Sequence, residues 1–144
     1  MKKIARFALL LMVLTISASA IAQDKGYKDG SVWTVSFIKT SANMTDDYIK
    51  SLKTTWGAMH DEAVRQGLIV SYKILAGAAA NPDDWDVMLM TEYKSLASME
   101  GQDAKWEAIS KKVMGGEEAM KKINDNRVSV RTIYGNKMLR EVQY

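Results

Sequence analysis

TDDYIKSLKTTWGAMHDEAVRQGLIVSYKIL, residues 45–75, is the stretch whose reading decides the fold. Thr45 is the expected N-cap, and Asp46 and Asp47 stand in the first turn, where the helix dipole favours negative charge. Ile49, Leu52, Trp56, Met59 and Ala63 recur at three- and four-residue steps, which places them on one face of an amphipathic helix. Gly67 is the natural C′ residue, free to take positive φ. Leu68 to Leu75 then reads as a strand. The chain's single histidine, His60, lies within this helix.

Upstream, Val32 to Thr40 alternates, with Trp33, Val35 and Phe37 on one side and Val32, Thr34, Ser36 and Ile38 on the other. Residues 23–31 are polar, hold two glycines and read as a loose arm. Downstream, Asn81-Pro82-Asp83-Asp84 signals a turn, and Trp85 to Tyr93 reads as a strand that is apolar on both faces. Asp103 is placed to cap a second helix in which Trp106, Ile109 and Val113 share a face. Gly115-Gly116 interrupts it, and a short helix is expected over Glu117–Asn124. Val128 to Tyr134 alternates again as an edge strand, Gly135-Asn136 reads as a turn, and Lys137–Tyr144 as a terminal strand.

Lys2, Lys3 and Arg6 precede the uncharged apolar run Phe7–Ile16, and Ala20-Ile21-Ala22 is an A-x-A cleavage signal. Residues 1–22 therefore read as a secretory signal peptide, with cleavage after Ala20 as the alternative. An exported chain, periplasmic or secreted, is expected. Its removal takes three basic residues from 20 and none of the 17 acidic ones, so the mature chain has zero formal net charge. No basic run remains to bind nucleic acid, and no second apolar stretch is long enough to hold the mature chain in a membrane. The absence of cysteine excludes disulfides and a lipidated N-terminal cysteine. The 122 remaining residues suit one domain, expected over 32–144.

The order β-α-β-β-α-β points to an α+β, ferredoxin-like sandwich: an antiparallel sheet with both helices on one face. Strands one and three are then central and strands two and four outer. The face opposite the helices carries large apolar side chains, and pairing two such faces predicts a homodimer. Val32 to Phe37, the helix ending at Gly67, Trp85 to Tyr93 and Ala104-Lys105-Trp106-Glu107 together resemble the dimeric α/β-barrel superfamily. That group includes the antibiotic-biosynthesis-type monooxygenases and the NIPSNAP-like proteins. The resemblance spans Ser31 to Val142 and implies the dimeric barrel, a fold that hosts unrelated chemistries.

His60 is the candidate catalytic acid/base, since imidazole titrates near neutrality, or a ligand to haem iron. The haem-degrading members of the superfamily take their iron ligand from the second-helix region, where this chain has no histidine. Trp56, Tyr72, Trp85 and Tyr93 are the candidate wall of a site for a flat apolar or aromatic molecule, with Trp33 and Trp106 as further aromatics. The resemblance implies that such a wall serves a cofactor-independent oxygenase. Packing in the core and at the dimer interface is the competing role. Met44, Met59, Met88 and Met90 raise Cu(I), yet Met88-Leu89-Met90 is ordinary filling for a central strand. Asp83-Asp84-Trp85-Asp86 lacks the glycine and distant glutamate of a calcium loop. Arg131 could hold a carboxylate or simply face solvent from the edge strand. One histidine and no cysteine cannot build the usual zinc site; a P-loop, a G-x-G-x-x-G and a G-x-S-x-G elbow are all missing. No metal and no cofactor are expected. Three functions follow: a binder of a small apolar or aromatic molecule between sheet and helices, a monooxygenase or isomerase using His60 or a tyrosine, or an interaction module of the cell envelope.

Overall fold

A computed structural model describes residues 26–144, so the expected signal peptide lies outside the described residues. Four strands, β1 (Lys28–Thr40), β2 (Ser71–Ala76), β3 (Val87–Tyr93) and β4 (Arg131–Gln143), form one sheet in the order β2-β3-β1-β4. All neighbours are antiparallel, with β1 and β3 central. This is the ferredoxin-like sandwich the element order implies.

The first crossover is a helix in three parts: α1 (Thr45–Leu52), a π turn (Lys53–Gly57) and α2 (Ala58–Arg65). Eight residues separate Leu52 from His60, which sets them ~80° apart on an unbroken α-helix. A π turn takes up about one extra residue and brings the two within ~20°. The buried stripe is accordingly Tyr48, Leu52, His60 and Ala63, not the stripe through Ile49 and Met59 that regular periodicity gives. Thr45 is the first helical residue and not the cap; its hydroxyl meets that of Thr40 at 2.7 Å, and the cap position is Met44. Gly67 adopts φ +69°, with Gly67 N–H donating to the Val64 carbonyl and Leu68 N–H to that of Ala63. That pair of bonds is a Schellman cap, and it drops Leu68 and Ile69 into the core ahead of β2, which starts at Ser71 and not Leu68.

The second crossover is α3 (Asp103–Met114) followed, after Gly115 at φ +83°, by α4 (Glu117–Val130). Residues 128–130 finish α4 and do not open a strand: Val130 packs on the core formed by Ile38, Tyr48, Leu52, Val87 and Leu89. Nor is Gly135-Asn136 a turn. β4 runs straight through, and the register against β1 slips by one residue at Tyr134, a β-bulge. A second slip sits between Asp29 and Val32, where Ser31 donates its N–H and hydroxyl to Glu141 Oε2. Strand β1 thus begins at Lys28, and residues 28–31 are paired strand, not loose arm.

Two apolar clusters fill the space between sheet and helices. One surrounds Tyr48 and Leu52; the other joins Ala63, Leu68, Ile69 and Ile109, with Met59, Tyr72, Tyr93 and Trp106 at its margin. On the open face, cross-strand partners put Trp33, Val35 and Phe37 beside Met88, Met90 and Leu139. Lys73 Nζ lies 5.3 Å from the Trp33 ring centroid and Lys137 Nζ 5.6 Å from that of Phe37, so lysine stems cover part of this apolar surface.

Candidate functional site

Of the residues singled out by sequence, the fold brings five into one neighbourhood. His60 is buried and stacks on Trp56, with 3.7 Å between ring centroids. Tyr72 stands 5.4 Å and Trp106 5.5 Å from the same imidazole. Tyr93 packs at the margin of the same cluster. Trp85 does not join them. Strand β3 starts at Val87, so the alternation does not extend back to Trp85, which instead packs on Phe37 at 5.3 Å.

His60 Nδ1 is 2.7 Å from the Trp56 carbonyl oxygen, and Nε2 is 3.0 Å from Thr91 Oγ1 on β3. A carbonyl only accepts, so Nδ1 carries the proton and the Nε2 lone pair accepts from the threonine hydroxyl. Burial pulls the imidazole pKa down to about 4, against the opposing effects of the Trp56 carbonyl and Asp61. The ring is therefore neutral at neutral pH, with both nitrogens engaged. Tyr72 donates its hydroxyl to Asp61 Oδ1 at 2.7 Å, and burial together with that carboxylate pushes its pKa up to about 12. Beside it lies only an open depression lined by Asp61, Val64, Arg65, Val70, Ser71 and Tyr72.

A more concave site sits at the other end of the first helix. A cavity of about 220 Å³ lies between α1 with its π turn and α4, lined by Met44, Tyr48, Thr55, Ile123, Arg127 and Val130, among others. Tyr48 is 1% exposed and belongs to both the cavity wall and the core. Arg127 donates to Thr55 Oγ1 from Nη2. Arg131 lays its guanidinium over the Tyr48 ring, 5.6 Å from the centroid. The Tyr48 hydroxyl and the Nε of each arginine are buried without a hydrogen-bond partner. Burial raises the Tyr48 pKa, and the nearby charges of Arg131 and Arg127 oppose that rise.

Sequence reasoning raised Arg131 but missed Tyr48 and Arg127. Tyr48 is one position off the regular apolar stripe, and Arg127 falls where helix gives way to an apparent strand. Among the described residues no group of three histidines and acids could hold a metal ion, and no helix is long and apolar enough to cross a membrane. The aspartates of the 83–86 run serve the backbone: Asp84 accepts from Ala80 N–H, and Asp86 from both the N–H and the hydroxyl of Thr40.

No protein-family model matches the chain, and no curated protein sequence is detectably similar. Solved structures are similar in shape. HapK from Hahella chejuensis superposes with a TM-score of 0.50 at 9% identity, over 76% of this chain and 91% of that one. A dimeric ferredoxin-like protein from an uncultured marine organism gives 0.46 at 15% identity, over 81% and 90%. A dimeric protein of unknown function and ferredoxin-like fold from Bacteroides fragilis gives 0.41 at 11%, over 82% and 99%. At such identities a likeness speaks for fold alone, and with the strand order found here that fold is the ferredoxin-like α+β sandwich.

Proposed function

We propose that the mature chain is an exported homodimer, joined through the open face of its sheet, that binds a small apolar or aromatic molecule. The observation that carries the binding is the cavity of about 220 Å³ between α1 and α4. That volume exceeds the roughly 150 Å³ of an enclosed apolar cavity that accepts benzene, and this cavity is half open to solvent with polar side chains on part of its wall. The proposed site is in the helical layer, with Tyr48 between it and the core, instead of around His60. Dimerisation rests on the apolar residues of the open face and on Leu75 and Leu139, 48% and 46% exposed in the protomer. Export rests on the sequence of residues 1–22. The monooxygenase reading gains nothing from His60, whose ring nitrogens are spent on Trp56 and Thr91.

Native mass spectrometry of protein purified from its own cell envelope tests all three parts. The expected species is two chains, each lacking residues 1–22, with a retained small molecule. A monomer at every concentration overturns the dimer, and chains that keep residues 1–22 overturn export. Protein without adduct that no single-ring compound stabilises in a thermal-shift series overturns the binding.

A further inference from the structure

We infer that the cavity between α1 and α4 takes a ligand with an anionic head group, a carboxylate held by Arg127 and Tyr48. This rests on the binding role proposed above and names the chemistry of its ligand. Buried polar groups are nearly always paired, because a donor removed from water without a partner is costly. Two such donors belong to residues of the cavity wall, the Tyr48 hydroxyl and Arg127 Nε, and a third, Arg131 Nε, lies behind that wall. Both wall groups can donate and one belongs to a guanidinium, so what satisfies them together is an acceptor with negative charge.

The surroundings agree. Arg127 is tied through Nη2 to Thr55 Oγ1, while its Nε has no partner. Asp47 is the one acid on the cavity wall, and it sits on the outside, two-thirds exposed and 3.6 Å from Lys50. Arg131 does not line the cavity; it backs Tyr48 from β4 and adds positive charge behind the phenol. Met44, Ile123 and Val130 offer an apolar wall for the body of the ligand. A single-ring carboxylic acid matches both halves.

Titration calorimetry of the mature chain with benzoate, the neutral isostere benzamide and inorganic phosphate tests this. Benzoate binding at least tenfold tighter than benzamide supports the inference. Equal binding of the two overturns it and leaves the apolar pocket standing. Phosphate binding without benzoate keeps the anion site and overturns the apolar one. No binding by any of the three overturns the inference. Tyr48→Phe supplies an independent reading. A merely structural hydroxyl is missed when removed, so the melting temperature falls. An unpaired hydroxyl that serves a ligand is not missed: the free protein melts at the same temperature or higher, while benzoate binds about tenfold more weakly. Arg127→Gln lowers benzoate affinity by about tenfold to a hundredfold. Benzoate affinity unchanged in both variants overturns the assignment.

Discussion

The imidazole of His60 stacks on the indole of Trp56 at 27° between the ring planes, and its Nδ1–H donates a hydrogen bond to that same residue's carbonyl oxygen, 2.7 Å away. One turn of helix thus supplies both the stacking surface and the acceptor. The tautomer is fixed by the backbone, and the ring is neutral because charging it would strand a cation under the sheet.

Acid stability follows from that burial. The unfolded chain binds a proton on His60 near pH 6.5, the folded chain only near pH 4. Stability from this residue is therefore complete above pH 6.5 and is lost progressively down to about pH 4, amounting to about 3 kcal/mol. Because His60 is the only histidine, urea denaturation between pH 7 and about 5, above the carboxylate range, reads it directly, and His60→Leu flattens the profile across that window. Nitrogen NMR of the wild-type ring shows the Nδ1–H form.

Thr91 is the second partner of the ring. Thr91→Val keeps the shape and leaves Nε2 buried without a donor, at a cost of about 1–3 kcal/mol. Thr91→Ser restores most of it. In the double variant His60→Leu/Thr91→Val the two losses are not additive, which a double-mutant cycle measures.

Glu62 ties the first crossover to the second. Its buried carboxylate accepts from Arg65, from Gln66 at 2.8 Å and from Lys112 on α3 at 2.9 Å. The Lys112 and Gln66 hydrogen bonds hold its pKa below the usual carboxylate value. The stabilisation is thus present above that usual value and fades as pH falls through the lowered one. Glu62→Gln lowers the melting temperature at pH 7 by several degrees, and the difference from the parent shrinks as the pH falls through the lowered carboxylate range. Hydrogen exchange locates the loosening at the α2–α3 contact.

In the proposed dimer the open sheet face is the contact between the two chains. Leu75→Lys with Leu139→Lys adds charge where the protomer already exposes both side chains, so the protomer keeps its fold. Analytical ultracentrifugation is expected to show a dimer for the parent and a monomer for the double variant, with association weakened more than about a hundredfold. Circular dichroism that stays native separates this from misfolding.

The sheet was legible because its strands alternate cleanly and because Gly67, by φ alone, marks where the first helix must end. The central strands show it best: Val87 and Leu89 face the helices while Met88 and Met90 face away, as their order requires. What escaped were the places where parity or phase changes without a composition signal. Val128-Ser129-Val130 alternates as a strand does, yet Val130 is held in a helix by tertiary packing. Tyr134 is an extra residue in β4, so a turn-like Gly135-Asn136 is carried through the ladder. The polar-aromatic gathering around His60 was visible only in part, since Trp56 and Tyr72 were in hand but Thr91 was one hydroxyl on a central strand. The cavity of Tyr48 and Arg127 was hidden because its two walls are about 80 positions apart and meet only through the fold.

The π turn at Lys53–Gly57 acts as a phase shifter for the whole interior. Cutting a single amino acid from it, for example Thr54, would leave seven steps between Leu52 and the histidine, which an unbroken α-helix spans with the two ~20° apart. The shortened, uniform helix would therefore keep both side chains looking in the same direction. Ironing the turn out without removing a residue would instead swing them ~80° apart, and one of the two clusters would have to open to water whichever half kept its place.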